Sequence, residues 1–195
     1  MDGAAATDWT PTRAAGLQRL AAFVPLAGRD GAARRNHDLP GHPHVSRLSP
    51  WLRHRLVSEA EVVTAVLSRH SPAAAEKFTQ EVFWRSYWKG WLEQRPAVWT
   101  TYRRDLQAAL NRLATEAGLR AGWEAACRGD TGIDAFDHWA RELVATGWMH
   151  NHARMWFASI WIFTLRLPWE LGADFFLRPM SGRRRPSRRR GCSCG

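Results

Sequence analysis

The chain has 195 residues, a formal net charge of +10 and an apolar fraction of 45%, enough for one domain with a real core plus tails and hardly for two. Three cysteines, Cys127, Cys192 and Cys194, are too few and too oddly spaced for a disulfide framework, and no signal peptide opens the chain, so a reducing, cytoplasmic setting is expected. The longest apolar run, Met155 to Phe163, falls far short of the ~20 residues of a membrane span, so no membrane contact is expected. No metal site is expected either, because the Cys-Ser-Cys tail has no second pair of ligands and "HPH" at 42–44 lies among prolines. Twelve Trp is many times ordinary usage and needs a reason.

In chain order, residues 1–9 form an N-terminal extension. Thr10 with Pro11 starts a helix whose face is lined by Ala14, Leu17, Leu20, Ala21 and Val24. Residues 28–50, rich in Gly, Pro, His and Arg, read as a long loop of the kind usually kept for function. Ser58 with Glu61 predicts a capping box ahead of Val62, Val63, Val66 and Leu67. Ser71-Pro72 restarts a helix that must stop near Pro96. Along it Phe83, Trp84, Tyr87, Trp88, Trp91 and Leu92 form an aromatic face, expected to pack against the apolar Met155–Phe163 stretch. Val98, Leu106, Leu110 and Leu113 carry the next helix, with Gly118 as its left-handed cap. "GDTGIDAFDHWARELVATG" predicts a loop and a helix closed by Gly147. "TGWMHNHARMWFASIWIF" then supplies the last long helix before Pro168, with Trp156 on its core side. Residues 179–195 hold no acid, and Arg183–Arg185 with Arg188–Arg190 make a disordered tail that would bind polyanions without selectivity. The expected class is all-α, with residues 10–178 as one helical domain and no internal repeat.

Three clusters carry candidate chemistry. In "VSRLSP", Ser46 and Ser49 flank Arg47, a set suited to phosphate oxygens, although such runs also occur in ordinary helix starts. In "QEVFWR", Glu81, Trp84 and Arg85 share one helical surface and offer an acceptor, a stacking ring and a cation. An exposed Glu–Arg pair beside a core Trp would give the same pattern. In the third, Trp148, Asn151, Arg154 and Met155 recur at three- and four-residue steps. Asn and Arg on such a stripe are expensive to bury without partners, which a bound polar ligand would supply.

In that order, "SRLSP", "QEVFWR" and "GDTGIDAFDHWARELVATGWMHNHARM" resemble the FAD-binding domain of the DNA photolyase and cryptochrome family, over residues 10–178. The resemblance implies a multi-helical bowl for FAD, with Ser46, Arg47, Leu48 and Ser49 at its phosphate and ribitol parts and Trp148, Asn151 and Arg154 near the flavin. It implies that Glu81, Trp84, Asn151 and Met155 meet a flipped pyrimidine dimer, that Arg85 lies at lesion or backbone phosphate, and that Trp169 is the middle member of a tryptophan electron chain. The implied activity is that of a deoxyribodipyrimidine photo-lyase: light-driven electron transfer to damaged DNA, a lyase chemistry needing no protein nucleophile or metal.

The departures are specific. Gly31 and Val45 stand where the family commonly has Tyr and Thr, so two flavin contacts are weakened. After "GADFFLR" the family continues with an acidic, Asn-containing flavin-binding segment, whereas this chain turns into "PMSGRRRPSRRRGCSCG", as an out-of-frame reading would. No antenna domain is expected, and a monomer is. The alternatives to a repair enzyme are a cryptochrome-like flavin photoreceptor without repair activity and a non-functional truncated fragment.

Overall fold

The computed structural model describes residues 9–180; the expectations for residues 1–8 and for the stretch from 181 lie outside them, while the tail expected from 179 starts too early, since the last helix runs through Met180. The described residues are all-helical, as expected, with no strand. The α-helices are α1 (Arg13–Phe23), α2 (Arg29–Arg34), α3 (Ser49–Arg53), α4 (Glu59–Leu67), α5 (Pro72–Glu93), α6 (Pro96–Thr115), α7 (Ala117–Arg128), α8 (Asp134–Thr146), α9 (Asn151–Ser159) and α10 (Trp169–Met180). A 3-10 turn follows α1 at Val24–Leu26, and a π turn follows α9 at Ile160–Thr164. The chain divides into two compact units, Met1–Thr100 and Thr101–Gly195.

Helix starts follow local chemistry. Thr12, two residues after the expected start, caps α1, its Oγ1 accepting from the Ala15 N–H at 3.2 Å. The capping box of α4 is present: Ser58 Oγ accepts from the Glu61 N–H at 3.2 Å, and Glu61 Oε2 accepts from the Ser58 N–H at 2.9 Å. Arg13 of α1 pairs with the same carboxylate. That guanidinium, together with the Ser58 donors, holds the Glu61 carboxyl down to a pKa of about 2. Ser71 caps α5 through the Ala74 N–H at 3.3 Å, with Pro72 in the first turn.

Two expectations built on glycine move. The 28–50 loop contains α2, in which a Cβ on Gly31 would lie 1.9 Å from the Leu26 carbonyl oxygen, so the close approach of turn and helix requires glycine there. Gly118 does not end a helix. The break falls at Glu116, in extended conformation between α6 and α7, and the left-handed cap is Gly129, at φ 66° after α7. Gly147 closes α8 at φ 69°, as its position suggested.

In the first unit Leu20, Leu48, Trp51, Leu52, Val57, Val62 and Val82 form one core cluster. In the second unit Phe136 stacks on Phe157 with ring centres 4.1 Å apart, and Trp161 and Phe175 pack on Phe157 at 5.8 and 5.9 Å. The buried stripe of the last long helix is Ala153, Phe157 and Trp161, at four-residue steps. Trp156, one residue or ~100° round from that stripe, is 63% exposed, which corrects its expected place in the core. The aromatic face of α5 is likewise not buried: Phe83, Trp84, Tyr87 and Trp88 are all exposed, because Ala75, Phe78 and Val82 on the other face do the packing.

Candidate functional site

In the first unit the phosphate-type loop is held from three sides. Arg19 of α1 donates from Nε to the Ser46 carbonyl at 2.8 Å and from its terminal nitrogen to the Val45 carbonyl at 3.1 Å. Partial burial pushes the Arg19 guanidinium below its ordinary pKa. Leu48, 1% exposed, anchors the loop in the core, so its side chain serves packing while its backbone fixes the hydroxyls on either side. Arg47 adopts a left-handed φ of 55° and lies over the Trp9 ring at 5.2 Å. Ser46 is half-buried and Ser49 exposed at the start of α3, leaving two hydroxyls and a guanidinium on a fixed backbone. Nothing in local spacing reveals the Arg19 clamp, since 26 and 27 residues separate its partners.

On α5, Glu81, Trp84 and Arg85 do not pair with one another. Glu81 accepts from Arg35 of the α2 C-cap at 2.7 Å, and Arg85 Nε stands 3.4 Å from Glu59 of α4. Trp84 is 52% exposed, edge-on to Tyr87 and nearly parallel to Trp88 at 6.4 Å. An acceptor, an open ring and a cation remain on one surface, with both charges braced from neighbouring helices.

In the second unit the head of α9 is built on buried Trp148, Met149 and His150. His150 caps the helix, its Nδ1 accepting from the His152 N–H at 3.2 Å. Arg154 folds back so that Nε donates to the Met149 carbonyl at 2.9 Å, and burial pushes its guanidinium below the ordinary pKa. Asn151 and Met155 are exposed on the following turns. The expected stripe is thus split: Trp148 is buried, Arg154 is half-buried and braced, and Asn151 and Met155 are presented outward. The turn leading into α8 is held by Asp137, a residue in none of the candidate sets. It accepts from the Thr131 N–H at 3.0 Å, the Thr131 hydroxyl at 2.7 Å and the Gly132 N–H at 3.0 Å. Trp169, at the start of α10, is 49% exposed and packs on buried Tyr102 with ring centres 5.7 Å apart.

The sequence profile of the FAD binding domain of DNA photolyase matches residues 78–181. The chain belongs to that family. The photolyase-type chain is 35% identical over 142 residues to the deoxyribodipyrimidine photo-lyase of Streptomyces griseus, covering 72% of this chain and 30% of that protein. It is also 30% identical over 143 residues to the chloroplastic/mitochondrial cryptochrome DASH of Ostreococcus tauri, covering 70% of this chain and 25% of that one. A crystal structure of a bacterial class III photolyase from Agrobacterium tumefaciens superposes with a TM-score of 0.68 at 29% identity, covering 87% of this chain and 34% of that one. The chain therefore spans between a quarter and about a third of the length of these relatives. Its donor set fits the flavin nucleotide of the family: Ser46, Arg47 and Ser49 are the hydroxyl and guanidinium donors a diphosphate takes. Among the described residues no group of three His, Cys, Asp or Glu could hold a metal, and no helix is long and apolar enough to cross a membrane.

Proposed function

We propose that this chain binds FAD and serves the light-driven repair of pyrimidine dimers in DNA, in the cytoplasm. The observation that carries the reading is the Val45–Ser49 loop, whose backbone is held by Arg19 and by buried Leu48. Ser46, Arg47 and Ser49 donate to the FAD diphosphate, and Leu48 sets their spacing. In the second unit the Asn151 amide and the Arg154 guanidinium, held by the Met149 carbonyl, face the isoalloxazine, with Trp148 as a supporting wall. On the first unit Glu81 and Trp84 are the dimer contacts and Arg85 takes a phosphate; on the second, Asn151 and Met155 are the dimer contacts and Trp169 passes electrons. When bound, FAD supplies the absorbed light and the single electron that opens the dimer.

The test is flavin retention. The purified chain, mixed with FAD and passed through gel filtration, should elute with a flavin absorption spectrum, and Ser46→Ala/Ser49→Ala should lose most of it with an unchanged circular dichroism spectrum. Equal retention by that variant would overturn the phosphate assignment, and a colourless wild-type chain would overturn the flavin reading. Repair of a thymine-dimer oligonucleotide under blue light by the loaded chain then decides between the enzyme and a flavin photoreceptor.

A further inference from the structure

Arg85, the cation of the α5 set, is held by one edge. Its Nε is buried 3.4 Å from Glu59 Oε1 of α4, an ion-pair contact without the alignment of a hydrogen bond, and its terminal nitrogens have no partner among the described residues. Glu59 Oε2 is taken by a second guanidinium: Arg55, on the turn between α3 and α4, donates from a terminal nitrogen at 3.1 Å. That turn is well defined, since Arg55 stands at a left-handed φ of 58° and the Leu56 N–H donates to the Trp51 carbonyl at 2.9 Å.

The start of α4 does not explain Glu59, because Ser58 and Glu61 already cap that helix. The Glu59 side chain is 17% exposed, and a carboxylate so covered is tolerated because it is paired. One guanidinium would balance its charge; two positive groups against one negative leave the trio with a net positive charge. Contact at the Nε side also leaves the two terminal nitrogens of Arg85 as an end-on fork, a geometry that suits phosphate oxygens.

We infer that Glu59 is a positioning residue for Arg85: it holds the guanidinium by its Nε edge so that the terminal nitrogens meet a backbone phosphate beside the lesion, while Arg55, by sharing the carboxylate, keeps Arg85 from being neutralised. This role rests on the phosphate contact proposed for Arg85. Released from Glu59, the Arg85 side chain has to be ordered by the phosphate itself, which lowers affinity by about two- to tenfold. Charge counting alone gives the opposite sign, because a carboxylate beside a phosphate site repels the strand and its removal tightens binding.

The experiment measures, by fluorescence anisotropy in the dark, binding of a labelled duplex carrying one thymine dimer to the full chain as wild type, Glu59→Gln, Arg85→Ala and the double variant. Glu59→Gln should weaken binding about two- to tenfold, and in the Arg85→Ala background it should weaken it no further. If Glu59→Gln does not fold, Glu59→Asp, whose carboxylate stops one methylene short of Arg85, takes its place with the same expected loss. Binding as tight as wild type or tighter, with Arg85→Ala weakened, would overturn the positioning role and leave the phosphate contact standing. An equal loss in both backgrounds would also overturn it, marking Glu59 as a support of the fold. Arg85→Ala that binds like wild type would instead overturn the phosphate contact, and the positioning role with it. A second measurement needs no DNA: in nitrogen-edited NMR the Arg85 Nε–H signal, identified by its loss in Arg85→Ala, should exchange slowly with water in wild type and quickly in the Glu59 variant, and equal exchange in the two would refute the role.

Discussion

Phe157 and Trp156 are neighbours in sequence, and the structure separates their energetics completely. Phe157 is 0% exposed and meets Phe136, Trp161, Phe175 and Phe176 at ring-centre distances of 4.1, 5.8, 5.9 and 5.1 Å. Truncation leaves a cavity among rings that other rings hold in place, so Phe157→Ala should cost about 3–5 kcal/mol. Trp156 is 63% exposed. Full burial of a large apolar side chain contributes about 1.5–3 kcal/mol, so the covered third of Trp156 contributes at most about 1. Alanine's better helix propensity returns about half of that, so Trp156→Ala should change stability by less than ~1 kcal/mol. Urea unfolding followed by circular dichroism reads both, provided the slope with denaturant is shared. If Phe157→Ala does not fold at all, Phe157→Leu should still be less stable than Trp156→Ala. A Trp156→Ala chain as destabilised as Phe157→Ala would refute the packing described for this helix.

Two further outcomes test the frame around the sites. Burial alone would raise the Asp137 pKa, but the Thr131 hydroxyl and the Thr131 and Gly132 N–H groups outweigh it and lower the value. A lowered folded pKa means that the carboxylate's contribution is complete above about pH 3.9 and is lost as pH falls through the folded value. Asp137→Asn should therefore cost about 1–3 kcal/mol at neutral pH and flatten the acid limb of the stability profile; an unchanged limb would show that the turn does not depend on the charge. Arg19→Ala should leave the helices intact yet speed hydrogen exchange of the residue 46–49 amides, measured by mass spectrometry of peptic fragments, and unchanged exchange there would show that the loop holds itself.

What was legible in the sequence is what is settled within a few residues. The Ser58 and Glu61 box, the Ser71-Pro72 start and the Gly147 stop each place donor and acceptor within one helical turn, so pattern and structure agree. The phosphate-type loop was legible as a motif, but its rigidity was not, since Arg19 reaches it from a separate helix. The same holds for the Arg35–Glu81 pair, whose partners are 46 residues apart. The aromatic runs misled for another reason. A Trp at a helical step names a face without saying which of two faces is buried, and on α5 small Ala75 and Val82 won that place over larger rings. In α9 and the π turn after it the four-residue rhythm of Ala153, Phe157 and Trp161 was present, but it was masked by the equally apolar residues between them.

Gly31 has a bearing on how this chain can diverge. An ordinary helical glycine invites replacement by alanine, which would stiffen α2 by up to about 1 kcal/mol. Here the first added carbon would lie 1.9 Å from the Leu26 oxygen, so position 31 is frozen until the Val24–Leu26 turn moves. Any family member with a side chain at this place must route the end of its first helix differently. Variation at positions 24–27 and at 31 should be inherited as a pair, a covariation readable from sequences alone.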